Sequence, residues 1–309
     1  MTKKKVLCFS MHYPFAIASY FIKALKARPD LDVKTCGQYT GNFIPWKSGM
    51  FLSPRYDNRP DFPLTKDLLN QAIPYGMVKM QMGDWTPDLI INIDAGTHWT
   101  ARPDEKCPVV TVATDPHVIQ NYDVPRSYSD YFFNMQKFYS KPGDIYLPYC
   151  YSTYDHYRVI GQPETWDASL IGLQYGNRVQ LVNELRARGK NVYFDTGAVF
   201  DEARQIYSET RVGISWSSQQ DLIARVFEFM AFGVVPVINR VPDLPLHFEE
   251  GVHYLGFDTV SEAVEKVEFA LANPEISDTI TANAWIAVQS HTYDARIEQI
   301  LTTVFGGDN

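Results

Sequence analysis

The stretch "LIARVFEFMAFGVVPVIN", residues 222–239, reads as an amphipathic helix that runs directly into a buried strand. Asp221 is placed to cap the start of the helix, and Gly233 is placed to end it. The run "VVPVI" has the length and the branched side chains of a short buried strand. A helix that feeds straight into such a strand is typical of an α/β sheet covered by helices.

Two charged side chains interrupt this apolar helix. Arg225 and Glu228 are three residues apart and share one helix face, whereas Phe227, Met230 and Ala231 are placed to pack on a sheet. An exposed ion pair on an ordinary amphipathic helix is one interpretation. The other is that the pair is polar because it faces a ligand site, and the rest of the chain has to decide between them.

Strand and helix signals alternate through both halves of the chain. Apolar runs such as "KVLCFS" and "DLIINIDAG" alternate with helical segments such as "AIASYFIKALKARPD" and "LTKDLLNQAI", and the pattern restarts after residue 160. Alternation of this kind predicts an α/β protein with two Rossmann-like, doubly wound domains that face each other across a cleft. We expect an acceptor-side domain at 1–160, a donor-binding domain at 161–290 and a final helix, 291–309, that crosses back.

Composition narrows the class of protein. The chain has 309 residues and a net charge of −8, which argues against generic nucleic-acid binding. Residues 1–160 carry a net charge of +3 and residues 161–309 one of −11, so an anionic partner would meet the first half. No run approaches the roughly 20 apolar residues of a membrane span, and the first residues indicate a strand rather than a signal peptide.

The four cysteines are far apart and lack metal-binding spacing, which predicts buried free thiols in a reducing cytoplasm. Histidines and acidic residues are scattered, so no metal site is predicted. The sequence has no P-loop, no GxSxG and no GxGxxG motif, which argues against ATPase, esterase and dinucleotide-dependent oxidoreductase functions.

Three motifs in the second half occur in a recognisable order. They are "RVFEFMAFG" at 225–233, "FEEG" at 248–251 and "HTYDAR" at 291–296, and "DASLIGLQYGNR" at 167–178 precedes them. Together they resemble group 1 glycosyltransferases, and more closely the branch related to spore-maturation proteins. The resemblance covers residues 166–301 well. In the first half it is limited to "TDPH" at 114–117 and "LPY" at 147–149.

The resemblance implies a GT-B fold and transfer of a sugar from a nucleotide-diphosphate donor, with a UDP-sugar as the expected co-substrate and no resident cofactor. In this family the glutamate at the position of Glu228 accepts hydrogen bonds from the ribose hydroxyls, a task that suits a carboxylate. The loop with Ser218 and Gln220 would lead into a helix whose N-terminus faces the diphosphate. Arg225 and Arg178 would neutralise the leaving group.

The first half should bind the acceptor. Asp115 and His117 follow the apolar run "VVTVAT", where a doubly wound sheet exposes functional groups. The resemblance implies that His117 touches the donor sugar, and Asp115 is placed to act as a base toward an acceptor hydroxyl. A turn at Asp115-Pro116 and a hydrogen-bonded His117 are the alternatives. Asp94 and His12 occupy equivalent positions on topology alone.

The chain departs from the family pattern at Gln220, where many members carry a second glutamate. An amide cannot stabilise positive charge at the sugar, so a retaining mechanism does not follow. Nine tyrosines between Tyr122 and Tyr157 either pack the domain junction or stack on a ligand. The acceptor alternatives are therefore a glycan, a small molecule or a hydroxymethylated DNA base. An epimerase or phosphorylase on the same fold, and a two-lobed binding protein, are the rival functions.

Overall fold

The computed structural model describes residues 2–13, 16–41, 58–68, 71–93, 97–118, 122–217 and 219–306. The chain divides into two compact units, one of Met1–Pro148 with Tyr293–Asn309 and one of Tyr149–Thr292. Each unit is built on a parallel sheet with helices between the strands, which confirms the predicted α/β class. In the described residues no helix combines the length and the apolar character needed to cross a membrane.

The first unit contains a seven-stranded parallel sheet. Its described strands, with a separate small pair formed by β4 and β6, are β1 (Lys4–Phe9), β2 (Leu31–Gln38), β3 (Phe62–Leu64), β4 (Ala72–Ile73), β5 (Leu89–Ile93), β6 (His98–Trp99), β7 (Val109–Ala113), β8 (Tyr131–Asn134) and β9 (Ile145–Tyr146). The order across the sheet is β3-β2-β1-β5-β7-β8-β9. The helices between these strands are α1 (Ile17–Ala27), α2 (Gly76–Met82) and α3 (Asp123–Tyr128). Every residue of β5 and β7 is buried, as continuous apolar runs require.

The predicted helix "LTKDLLNQAI" is wrong. Residues Lys66–Leu68 form a single 3-10 turn, and Ala72–Ile73 pairs as a strand with His98–Trp99. Pro74 explains part of the difference, because a proline disfavours helical backbone at the residue before it. The helix of this region begins two residues after that proline, as α2.

The second unit contains a five-stranded parallel sheet with the order β11-β10-β12-β13-β14. Its strands are β10 (Trp166–Ile171), β11 (Val192–Asp195), β12 (Thr210–Ser215), β13 (Val235–Asn239) and β14 (Leu255–Phe257). Its helices are α4 (Gly176–Ala187), α5 (Asp201–Ser208), α6 (Ala224–Phe232), α7 (Val260–Ala272) and α8 (Pro274–Val288). The chain winds from β10 toward one edge of the sheet and later returns to β12 on the other side. The topological switch point, where such sheets bind ligands, therefore lies between β10 and β12.

Helix α6 and strand β13 confirm most of the local reading of 222–239. Gly233 ends the helix in the left-handed conformation, with φ 65° and ψ 45°. The predicted cap is wrong, because Ile223 occupies the N-cap position and the carboxylate of Asp221 accepts a hydrogen bond from the Gln219 N–H at 3.1 Å. Asp221 therefore stabilises the preceding loop rather than the helix.

The segment after Pro148 belongs with the second unit. The Tyr151 N–H donates to the carbonyl of His291 at 3.0 Å, and the Val159 N–H donates to Oγ of Ser208 at 2.9 Å. These bonds place the division between the compact units earlier in the chain than residue 160, the boundary expected from the pattern of strands and helices. A segment without strand or helix periodicity gives no such signal.

The last helix, α9 (Tyr293–Phe305), belongs to the first unit and packs against α1. The rings of Tyr20 and Tyr293 stack at 5.3 Å, and the guanidinium of Arg28 lies 2.5 Å from the carboxylate of Glu298. The four cysteines are buried and none of them forms a disulfide, as expected. Burial raises the pKa of the Cys8 thiol to about 12, so this thiol is protonated at neutral pH.

His12 is a buried structural residue. Its Nε2 lies 3.2 Å from the carbonyl oxygen of Cys36 and its Nδ1 lies 3.2 Å from that of Asn58. Burial, which disfavours the charged imidazolium, lowers the pKa of His12 to about 4. These contacts tie the end of β1 to neighbouring backbone.

We expect Gly213→Ala to lower the free energy of unfolding by about 2–3 kcal/mol, because overpacking strains a rigid core. A methyl group at Gly213 in β12 would lie 2.8 Å from Cγ of Phe229, whose ring is fully buried. The matched control is Gly256→Ala in β14, where the methyl would lie 2.6 Å from the flexible carboxylate end of Glu250. Its expected cost is below about 1 kcal/mol. Urea denaturation measures both, and equal losses would contradict the assignment.

We expect His12 to contribute a pH-dependent stability of up to about 3 kcal/mol. Its folded pKa, about 4, lies below the ordinary value of 6.5. The contribution is therefore complete above the unfolded pKa and is lost as pH falls toward 4. The test compares the unfolding free energies of wild type and His12→Gln at pH 7, 5.5 and 4, since carboxylate titrations are common to both proteins. A difference that does not change with pH would refute the prediction.

Candidate functional site

Arg178 joins the two loops that meet at the switch point of the second unit. Its Nε and Nη2 donate to the carbonyl of Trp216 after β12, with the Nε bond at 2.7 Å. Its Nη1 donates to the carbonyl of Leu173 after β10 at 3.2 Å. The guanidinium also lies over the ring of Tyr175, 4.3 Å from its centroid. One buried cation therefore fixes the carboxyl ends of two neighbouring strands.

Arg225 converges on the same place from the first turn of α6. A side chain at Gly172 would come 2.8 Å from Nη2 of Arg225 and 3.1 Å from Nη1 of Arg178. Gly172, with φ 156°, leaves the room that both guanidinium groups occupy. Burial and the nearby charge of Arg225 lower the pKa of Arg178 to about 10. Two cations held this close favour a negatively charged ligand beside them.

One donor of Arg225 is unused. Its Nη1 is buried and has no hydrogen-bond partner among the described residues. A buried polar atom in this condition is rare and needs an explanation, and a missing ligand is one. The Arg225 guanidinium also hydrogen-bonds to the hydroxyl of Tyr207, which is buried and bonds to the backbone of Ile171.

Glu228 does not point into bulk water. Its side chain is 20% exposed, and its Oε1 lies 3.8 Å from Nε2 of His156. Burial, first of all, raises the pKa of the Tyr207 hydroxyl, with Arg225 opposing and Glu228 adding to the shift. The charges of Arg225 and Glu228 thus act on the pKa of the same buried hydroxyl in opposite directions. The exposed ion pair, the plainer interpretation of 222–239, does not describe this arrangement.

The loop after β12 has its own hydrogen bonds. The Ser217 N–H donates to Oδ1 of Asn239 at 2.8 Å, and Nδ2 of Asn239 donates back to Oγ of Ser217 at 3.1 Å. Gln220 is exposed in this loop. Ser218, predicted as a donor contact, lies outside the described residues.

Sequence reasoning missed His156 and Tyr207. His156 lies in "YSTYDHYR", which has no periodicity, and Tyr207 reads as an ordinary apolar residue of α5. Both became visible only once the fold placed them beside Arg225 and Glu228. A polar residue in a linker gives no signal until its spatial neighbours are known.

Asp115 and His117 lie in the first unit, in the turn after β7. Asp115 is half-buried, and its Oδ2 accepts a hydrogen bond from Oγ1 of Thr114 at 3.1 Å. The Val118 N–H donates to the carbonyl of Asp115 at 3.1 Å, which closes the turn expected at Asp-Pro. The ring of His117 lies 5.6 Å from that of Tyr139. Both residues thus sit at the carboxyl edge of the sheet, whereas Asp94 lies outside the described residues.

The aromatic rings between Tyr122 and Tyr157 differ in their exposure to solvent. Tyr122, Phe133, Tyr149 and Tyr151 are buried, and the rings that remain substantially exposed include Phe138 at 54%. Packing accounts for the buried rings, whereas Phe138, Tyr154 and Tyr157 are exposed, so both alternatives for this region stay open. Among the described residues, no group of three histidine, cysteine or acidic side chains is placed to hold a metal ion.

Residues 153–302 match the family described as "Glycosyl transferase-like". No curated protein matches the chain. The family match begins close to the start of the second compact unit and includes every residue of the site around Arg225 and Glu228.

Solved structures share the fold over nearly the whole chain. A sucrose-phosphate synthase from Thermosynechococcus elongatus has 13% identity and a TM-score of 0.68, with 99% of this chain and 100% of that chain covered. HepE from Anabaena, in complex with UDP and glucose, has 11% identity and a TM-score of 0.66, with 98% and 100% covered. An α-glucosyltransferase in complex with UDP-glucose and DNA has 10% identity and a TM-score of 0.59, with 98% and 100% covered.

These likenesses confirm the predicted GT-B fold. The family match, together with this fold, supports the predicted enzyme class, a glycosyltransferase that takes its sugar from a nucleotide-sugar donor.

Proposed function

We propose that the enzyme uses a UDP-sugar and that the second unit binds its nucleotide at the carboxyl edge of β10 and β12. The observation that carries this proposal is the buried, unpartnered Nη1 of Arg225 beside a second guanidinium at the switch point. A diphosphate supplies the acceptor oxygens that such a group needs. Complexes of the structural relatives with UDP and with UDP-glucose support uridine as the base.

Arg178 and Arg225 have different numbers of N–H groups left for a ligand, so we assign them different roles. Arg178 uses three of its N–H groups on the carbonyls of Trp216 and Leu173, so we assign it mainly to holding the two loops. Arg225 has the unused donor and is assigned to the diphosphate. As the bond between the sugar and the terminal phosphate oxygen breaks, negative charge grows on the leaving UDP and Arg225 stabilises it.

Glu228 is assigned to the ribose. Its carboxylate has acceptor oxygens for both hydroxyls of a vicinal diol, and it is largely withdrawn from solvent, where a charge-assisted hydrogen bond is stronger. Ser218 and Gln220 remain proposed contacts of the donor through the same loop. Because residue 220 is an amide, it offers a hydrogen bond but no negative charge to the sugar.

We assign acceptor activation to the first unit, with Asp115 as the base and His117 as a contact of the donor sugar. Asp115 lies at the carboxyl edge of the sheet and its Oδ2 is oriented by Thr114. A glycan or small-molecule hydroxyl is the proposed acceptor. A hydroxymethylated DNA base is the alternative acceptor, and the complex of one structural relative with DNA supports it.

The motifs in the second unit support placing the enzyme in the branch related to spore-maturation proteins. The four buried cysteines form no disulfides, which supports the cytoplasmic location that we propose.

We expect Glu228→Gln and Arg225→Lys to weaken nucleotide binding in different ways. Glu228→Gln should weaken uridine and UDP alike by about tenfold, because both carry the ribose. Arg225→Lys should weaken UDP by about tenfold or more and leave uridine unchanged, because only UDP carries the diphosphate. Titration calorimetry measures the four affinities, and Arg186→Lys on the outer side of α4 is the control. If Arg225→Lys weakened uridine and UDP to the same extent, the assignment of Arg225 to the diphosphate would be refuted.

We expect Asp115→Asn to reduce sugar transfer by about 10²–10⁴-fold while UDP affinity stays at the wild-type value. The assay separates donor hydrolysis, epimerised nucleotide sugar and transferred product by mass spectrometry. Acceptor panels include glycans, small alcohols and DNA with and without hydroxymethylated bases. Conversion of the donor to an epimer without release of UDP would instead establish the epimerase function, and full transfer by the variant would remove Asp115 from catalysis.

A further inference from the structure

We propose that His156 is a positioning residue that holds the carboxylate of Glu228 toward the nucleotide ribose; this inference rests on the proposed function. No sequence motif singles out His156. The assignment comes from three features of the second unit: a segment fastened to α6, a histidine with one possible neutral tautomer, and a largely buried carboxylate facing it.

Two hydrogen bonds attach the segment that contains His156 to the ends of α6 and α5. Nη1 of Arg158 donates to the carbonyl of Gly233 at the C-terminus of α6, at 2.8 Å. The Val159 N–H donates to Ser208 at the end of α5. A cation on the final carbonyls of a helix also interacts favourably with its dipole. These bonds hold the segment with His156 beside the helix that carries Glu228.

The backbone fixes the tautomer of His156. The Ser152 N–H donates to Nδ1 of His156 at 3.0 Å, so Nδ1 is an acceptor and carries no proton. In the neutral ring the proton must then be on Nε2. The turn around it is reinforced by the hydrogen bond from Oγ of Ser152 to Oδ2 of Asp155 at 2.7 Å. The ring packs against Phe232, with centroids 5.6 Å apart.

The ring nitrogen that carries this proton lies near Glu228. The separation from Nε2 to Oε1 is 3.8 Å, longer than a hydrogen bond, and the imidazole side chain is only 7% exposed. Contacts of this kind are often long before a ligand is bound and shorten in the complex. In the complex a bond from Nε2 to Oε1 would hold the carboxylate in one orientation, and its remaining acceptor capacity would serve the ribose diol.

The test exploits two partial replacements of the imidazole. An Asn side chain places its carbonyl near Nδ1 and retains the acceptor for Ser152, whereas a Gln side chain places its amide near Nε2 and retains the donor for Glu228. If His156 positions the carboxylate, His156→Gln should keep UDP affinity within about twofold and His156→Asn should lose about fivefold to tenfold. If the ring only stabilises its turn, the order is reversed.

His253 provides the matched control, because its Nδ1 also accepts a hydrogen bond from the backbone N–H four residues earlier, that of Glu249, at 2.9 Å. Both of its replacements, His253→Asn and His253→Gln, should leave UDP affinity unchanged. Calorimetry with UDP, 2′-deoxy-UDP and 3′-deoxy-UDP supplies ratios of affinity that do not depend on the fraction of folded protein. His156→Asn should shrink the preference for UDP over the deoxy forms, and in a Glu228→Gln background it should have no further effect.

Reversed order, equal losses or no loss in the two His156 variants would overturn the inference and leave the proposed function intact. If Glu228→Gln itself leaves both UDP affinity and the preference for the ribose hydroxyls unchanged, the donor assignment of Glu228 fails first, and the positioning role fails with it.

Discussion

The hydrogen bonds from Arg178 to the carbonyls of Trp216 and Leu173 are the constraint on which the candidate site depends. The two strands that precede these carbonyls are parallel neighbours, and the chain continues from them to strands on opposite sides of the sheet. A planar cation with several fixed donors can satisfy both carbonyls at once, and a lysine could not do so with the same geometry. Each hydrogen bond to a charged group contributes about 1.5–3 kcal/mol. Arg225 is then positioned beside the guanidinium of Arg178.

The positions of Arg225 and Glu228 depend on the loops that Arg178 holds. Gly172 lacks a side chain, so the guanidinium of Arg225 reaches the space beside Arg178 without a clash. The pair shares one face of α6, and Arg225 hydrogen-bonds to the buried hydroxyl of Tyr207. If the two charges satisfied each other directly, neither would keep capacity for a ligand. A cation with an unused donor and a largely buried carboxylate on one helix face suit a ligand that is anionic at one end and rich in hydroxyls at the other.

The alternation of strand and helix signals was enough to predict the two α/β units, because parallel strands buried on both faces leave continuous apolar runs such as those of β5 and β7. The end of α6 was predictable as well, since Gly233 takes a left-handed conformation that other residues adopt at a cost. The prediction failed where long-range partners decide the outcome. Asp221 satisfies a loop amide instead of a helix end, and Ala72–Ile73 pair as a strand with His98–Trp99. His156 owes its orientation to the N–H of Ser152 and its relevance to Glu228, and a single sequence shows neither.

The closing motif "HTYDAR" shows how a family signature can be structural rather than chemical. Nε of Arg296 donates to the carbonyl of Pro148 at 2.6 Å, which is the last residue of the first unit before the chain crosses over. Tyr293 packs its ring edge-on against Phe21 of α1, with centroids 4.9 Å apart. "LPY" and "HTYDAR", far apart in sequence, are therefore two sides of one contact. That contact anchors α9 to the first unit on its return and accounts for both motifs without assigning either one to catalysis.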